Sequence, residues 1–291
     1  MNDFKEQLIE LYKKSFDESD EYADYFFQNR YKQENVAAVI ENGKVISALH
    51  LIPQEIMLCG KPVKAGYVSS AATLPEYRGK GLFAQTMAKA DEMLKNNGME
   101  YCVLYPFKHE YYRKFGFIEY SYVKKGIAVG NSFKVRVEEY KAGDGKLLNR
   151  IRGIYERLCG NFEGWVIRDD KEWEYRIGEI LADRGAVLVI KADNEHEGYC
   201  FINKGRIEEC CFTDFIDGAG DGEHCLIDGV TAAAGMEYVV PVHKPLNQIA
   251  DADNIAAARR HPFGMIKKTG CTAAETYEVF KNKRCVLFDK Y

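Results

Sequence analysis

The chain contains no apolar run approaching the length of a membrane span, so a spanning helix is not expected. Its start, Met1-Asn2-Asp3-Phe4-Lys5-Glu6, lacks a signal-peptide pattern, which predicts a cytoplasmic protein with no membrane partner. A basic excess is also missing: the formal net charge is -4, which argues against a general nucleic-acid partner. Nine cysteines are an odd number without paired metal spacing, and Cys210 and Cys211 are adjacent. Neither a disulfide framework nor a zinc site is expected; reduced, mostly buried thiols are. His224, His243 and His261 show no metal spacing either, so no metal is predicted. Gly-x-x-x-x-Gly-Lys-Ser/Thr and Gly-x-Gly-x-x-Gly are both absent from the glycine loop described below, which weakens any reading as a phosphotransferase.

What remains is 291 residues of 46% hydrophobic and 29% charged composition, the balance of a globular chain long enough for two domains. The organising stretch is 68–94. Val68-Ser69-Ser70-Ala71-Ala72-Thr73 reads as a strand of small and β-leaning residues, ended by Pro75, which has no N–H for a sheet. Phe83, Met87, Ala90 and Leu94 then recur at helical spacing, and Gly98 closes the helix. Between strand and helix, Arg78-Gly79-Lys80-Gly81 places two cations and two glycines at a helix start. Such a loop attracts phosphate through open N–H groups and the helix dipole. A solvated surface turn would read the same in isolation; the strand before it favours the phosphate reading.

Arg78-Gly79-Lys80-Gly81-Leu82 resembles the Arg/Gln-x-x-Gly-x-Gly/Ala pyrophosphate loop of the GNAT acetyltransferase superfamily, with Phe83 standing where the pattern has Gly or Ala. Downstream, Tyr111-Tyr112-Arg113-Lys114-Phe115-Gly116-Phe117 resembles the superfamily's Phe-Tyr-x-Lys-x-Gly-Phe segment. The resemblance implies acetyl-CoA as cosubstrate, its pyrophosphate held by Arg78, Gly79, Lys80, Gly81, Leu82 and Phe83. Its pantetheine arm would lie along Ala71, Ala72 and Thr73, through the main chains of Ala71 and Thr73, where a β-bulge commonly splays the strands.

Elsewhere, apolar spacing over 3–31 predicts two helices, whose aromatic residues border the acceptor pocket by resemblance or simply pack the core. Strands are expected at 36–40 and 45–51 around Asn42-Gly43, at 56–59 and 63–67 around Gly60, and at 99–105. A short helix at 110–114 follows. The second half repeats two motifs: Gly98-Met99-Glu100-Tyr101 recurs as Gly235-Met236-Glu237-Tyr238, and Phe115-Gly116-Phe117-Ile118 as Phe263-Gly264-Met265-Ile266. Two matches in one order suggest a duplication. The expected fold is α+β (mixed α/β): two tandem GNAT-like domains, each a mixed, largely antiparallel sheet flanked by helices. Residues 1–138 form the catalytic domain and 139–291 a degenerate one, with the linker near 131–145, helices at 146–159 and 171–184, and strands at 186–190 and 198–203. At the expected position of its loop the second copy has Asp217-Gly218-Ala219-Gly220-Asp221-Gly222-Glu223, whose carboxylates would repel a pyrophosphate. This layout resembles the enhanced-intracellular-survival type of acetyltransferase without its sterol-carrier-like third domain.

The resemblance implies N-acetyl transfer to a primary amine by direct attack through a tetrahedral intermediate. Tyr112 falls on the general-acid tyrosine, with Tyr111 as competitor; a phenol of pKa near 10 can protonate a departing thiolate of pKa about 8.5. The Tyr291 terminal carboxylate, Glu110, His109, His50 and water all remain open as base. The acceptor is a small-molecule or peptide amine of unspecified identity, and a homo-oligomer is compatible with the sequence. A non-catalytic acyl-CoA-binding or partner-binding module is the alternative.

Overall fold

The computed structural model describes residues 3–127, 135–191, 196–212, 237–241, 260–283 and 285, with backbone alone at 124–127, 237–241 and 260–262. Helix α1 (Phe4–Ser15) starts at a capping box between Asp3 and Glu6, and α2 (Asp20–Asn29) at Ser19, whose Oγ accepts from the Tyr22 N–H at 3.1 Å. Their buried stripes, Leu8-Leu11-Tyr12 and Ala23-Phe26-Phe27, pack on one face of a sheet. Asn42 and Gly43, both at positive φ, turn β1 (Val36–Glu41) into β2 (Lys44–Leu58); Cys59 and Gly60 do the same between β2 and β3 (Lys61–Thr73).

The four short strands expected across β2 and β3 are therefore two long ones. Pro53 does not break β2. Pairing with β1 stops at Val36↔His50, and further along the same edge Glu55 and Met57 exchange backbone hydrogen bonds with 164–167. Alternate residues face alternate sides, so the Pro53 nitrogen falls in the interval between these two partners, where no N–H is called for.

Helix α3 (Leu82–Asn96) crosses over from β3 to the parallel β4 (Tyr101–Leu104). It packs so closely that a Cβ on Gly66 would lie 2.6 Å from Leu51 and 2.8 Å from Leu94. Helix α4 (His109–Arg113), β5 (Ile118–Glu119) and β6 (Tyr122–Ile127) follow. The first sheet has the order β1-β2-β3-β4-β13-β5, and β13 (Met265–Lys268) comes from the far end of the chain: Met265 pairs with both Leu104 and Glu119. Helix α7 (Ala273–Phe280) returns to the same core, its Phe280 ring edge-on to Tyr101 and Tyr120.

The second sheet, β10-β9-β8-β7, is wholly antiparallel: β7 (Arg136–Glu139), β8 (Ala186–Lys191), β9 (Glu197–Asn203) and β10 (Arg206–Phe212). Helices α5 (Gly145–Cys159) and α6 (Asp170–Ala182) cover it. A third set joins β6 to β11 (Glu237–Pro241) and β12 (Arg260–Pro262). Both chain halves thus contribute to the first sheet, and Phe263-Gly264-Met265-Ile266, read above as part of a second copy, completes the first unit beside its supposed counterpart, with Ile266 opposite Ile118. β4 and β5 present unpaired edges there that a short apolar strand fills. The Asp217–Glu223 stretch and Tyr291 lie outside the described residues.

Candidate active site

β3 and β4 pair only from Ala65↔Tyr101 to Val68↔Leu104. β4 then ends, while β3 continues to Thr73, about 16 Å further. A bulge lies where the strands part: Ala48 pairs with Ala72 and His50 with Ser69, so Ser70 and Ala71 oppose Leu49 alone, and Ser70 takes φ +51°. Leu74 donates its N–H to the Ile46 carbonyl at 3.0 Å. By the alternation of a strand, the main chain of Ala72 faces β2 and those of Ala71 and Thr73 face the opened side. Ser47 Oγ fixes the bulged strand by donating to the Ala72 carbonyl at 3.1 Å, and Thr86 Oγ1 on α3 donates to that hydroxyl at 2.8 Å. Nothing in the sequence pattern singled out Ser47 and Thr86, because their partners lie on other elements.

The loop continues directly from this opened edge. After a single 3-10 turn (Pro75–Tyr77), Arg78 donates from Nε to the Thr73 carbonyl at 3.1 Å. Gly79 and Gly81 take φ +77° and +75°, and a Cβ on either would meet nothing within 4 Å, so the loop's outer face is open. α3 begins after Gly81 with no side-chain cap and no acid in its first turn, and Ala84 and Gln85 both donate to the Gly81 carbonyl. The helix therefore presents free N–H groups and its positive end beside Arg78 and Lys80, both exposed. Leu82, half-buried, packs against the first core.

Phe83, the departure from the loop pattern, has a structural use. Its ring lies 5.4 Å from Tyr111, 6.0 Å from Tyr112 and 5.6 Å from Phe115, fastening the start of α3 to α4. Tyr112 is only 5% exposed, and burial, reinforced by Tyr111, pushes its phenol well above the ordinary range, so it is protonated at neutral pH. Phe107, 76% exposed, stands 5.8 Å from the Tyr112 ring at the mouth of this cluster. No periodicity marked it, because it lies in the β4–α4 connection.

The candidate bases separate. His50, opposite Ser69 beside the bulge, is 4% exposed and ringed edge-on by Phe26, Phe27 and Tyr31 at 5.1, 5.7 and 5.9 Å. Neither of its nitrogens has a hydrogen-bond partner, and burial lowers its pKa to about 4. Burial also lowers His109. Glu110 is exposed, its carboxyl held below the usual range by its own backbone N–H at the start of α4. Among the described residues no cluster of His, Cys, Asp and Glu is arranged to hold a metal, and no helix is long and apolar enough to cross a membrane.

Strand main-chain groups facing an opened sheet, running into an unshielded cationic glycine loop, suit an extended arm that leads into a diphosphate; these residues fit acetyl-CoA. A protonated tyrosine, Tyr112, stands in the aromatic cluster beside this loop. Residues 2–120 match the acetyltransferase (GNAT) domain family. No curated protein matches the chain. Among solved structures it is similar to a probable N-acyltransferase of Enterococcus faecalis V583, at 17% identity and TM-score 0.64, covering 94% of this chain and 71% of that one. A GCN5-related N-acetyltransferase from Anabaena variabilis is similar at 14% identity and TM-score 0.62, covering 91% and 70%. Eis1 from Mycobacterium abscessus is similar at 13% identity and TM-score 0.60, covering 91% and 71%. At these identities the likeness is one of fold. It extends over both units, whereas the family match stops before the second.

Proposed function

We propose that this chain transfers the acetyl group of acetyl-CoA to a primary amine of a small molecule or peptide. The observation that carries the reading is continuity: the open edge of β3 at Ala71 and Thr73 leads without a break into Arg78-Gly79-Lys80-Gly81. In this reading acetyl-CoA supplies the activated acyl group. Main-chain groups of Ala71 and Thr73 hold the pantetheine arm, and the loop with Leu82 and Phe83 holds the diphosphate. Tyr112, protonated, donates to the departing thiolate. The amine's proton passes to water, since Glu110 is out in solvent and His50 is sealed by aromatic rings. The second unit, whose sheet shows no such opening among its described strands, serves as a wall for the acceptor side, an arrangement akin to the enhanced-intracellular-survival type.

The test is thiol release from acetyl-CoA across an amine panel. Arg78→Glu is expected to weaken acetyl-CoA binding tenfold or more, since it turns an attraction into a repulsion at the diphosphate. Unchanged affinity in that variant would refute the loop assignment. Tight binding of acetyl-CoA with no turnover on any amine would favour the alternative, a non-catalytic acyl-CoA-binding module, for which the sealing of His50 is the supporting observation.

A further inference from the structure

At the opposite end of β3 from the acyl gap, the β2–β3 turn holds Cys59 and Gly60, both at positive φ, and leaves Cys59 exposed. The other described cysteines are buried or half-buried, and burial pushes the thiols of Cys102 (up to about 12), Cys159, Cys200 and Cys285 upward. Cys59 differs in surroundings as well as exposure. Lys283, three residues past α7, donates from Nζ to its Sγ at 2.9 Å. Glu163 completes a triangle: its Oε2 accepts the Cys59 N–H at 2.6 Å and its Oε1 lies 3.9 Å from Lys283 Nζ. Three segments remote in sequence meet here, the turn, the strap at 162–167 and the residues after α7, and Glu163 also forms a bridge with Cys285.

We propose that Cys59 and Lys283 are the two ends of an oxidative crosslink, an Nζ–O–Sγ bridge that fastens the C-terminal segment to the β2–β3 turn. The sulfur is open to a peroxide oxidant, and the lysine nitrogen already sits close to the separation that one inserted oxygen spans. Written with hydrogen peroxide, one thiol, one neutral amine and two peroxides give the bridge and three waters. The first peroxide takes the thiol to sulfenic acid, forming the S–O bond and releasing water. The second oxidises the nitrogen as it bonds to the sulfenic oxygen, each peroxide O–O bond taking up one electron pair. Glu163 receives the proton the ammonium must lose. The hydrogen bond to the Cys59 sulfur is the main influence holding Lys283 above its ordinary pKa, so oxidation of that sulfur itself favours the neutral amine.

The test treats the whole chain with hydrogen peroxide and reads intact mass, peptide maps and Tm. A species about 14 Da heavier is expected, one oxygen gained and two hydrogens lost, with the peptides carrying Cys59 and Lys283 joined. Dithiothreitol should reverse it. The bridge closes a very long loop, so Tm should rise by several degrees on its formation. Cys59→Ser and Lys283→Arg should each abolish the product, the second while keeping the charge. Cys59 accumulating oxygens with Lys283 unlinked, a link without oxygen, or the same product from Lys283→Arg would each overturn the proposal. None of these readouts involves acetyl transfer, so the result stands apart from the proposed function.

Discussion

The two main sheets handle polarity in opposite ways. The first is apolar on both faces, and its proposed ligand contacts sit where its hydrogen-bond ladder is interrupted: the bulge at Ser70, the free edge beyond Val68, and the loop at Arg78. The second is antiparallel throughout its described strands, with one register shift between Ile207 and Glu209, and it buries charge there. Arg168 donates both terminal nitrogens to Glu209 at 2.8 Å each, and Tyr199 donates to the same carboxylate at 2.5 Å. Arg176 reaches Glu209 at 3.4 Å and Glu179 at 2.7 Å. Burial alone would raise the Glu209 pKa, but Arg168 overrides it and holds the carboxylate ionised. Tyr22 of α2 also donates to Glu179, so this ionic core reaches across to the first unit. An opened strand edge exposes donors that a ligand can use, whereas the buried carboxylates of the second sheet are already engaged by guanidinium groups. That contrast is why the acyl site is sought in the first sheet.

Four substitutions would break or sharpen this comparison. The largest effect is expected from Glu209→Gln, which takes the counter-charge from the fully buried Arg168 while Arg176 keeps Glu179: a loss of about 3–5 kcal/mol in urea unfolding, with little change in the acetyl-CoA affinity of the protein that remains folded. His50 comes next. Its folded pKa is about 4, below the ordinary 6.5, so the unfolded chain binds more protons between those values and stability must fall as pH drops through that window. The loss should approach about 3 kcal/mol, and His50→Phe should flatten that part of the pH profile. An unchanged profile in the variant would mean the imidazole is not sealed as described.

Third, Tyr112→Phe keeps the ring packing and removes only the phenolic hydroxyl, and with it the donated proton. Turnover is expected to fall about 100-fold with acetyl-CoA KM nearly unchanged, measured by thiol release at saturating amine. Equal losses for Tyr111→Phe would move the acid to its neighbour. The smallest effect is Gly81→Ala, which meets no atom but forces a Cβ into the left-handed region, costing about 1–2 kcal/mol of stability or an equivalent weakening of acetyl-CoA binding.

Much of the site was legible because its determinants are local. The spacing of Phe83, Met87, Ala90 and Leu94 gives α3, and the glycines at 79 and 81 can serve a left-handed bend whatever surrounds them. The turn at Asn42-Gly43 and the helices at 4–15, 20–29, 145–159 and 170–182 were readable on the same basis. What could not be read from short windows was any pairing between distant segments.

The amino-acid order by itself determined the strand, cationic bend and helix of the proposed diphosphate site, because periodicity, glycine and charge act over a few neighbouring residues. Tertiary structure alone decided that β13 enters the first sheet between β4 and β5, that Phe83 closes an aromatic cluster instead of giving the close approach of a glycine, and that His50 is caged beside the bulge. These follow from hydrogen-bond edges and ring packing completed by residues far apart in the chain, which no local pattern encodes.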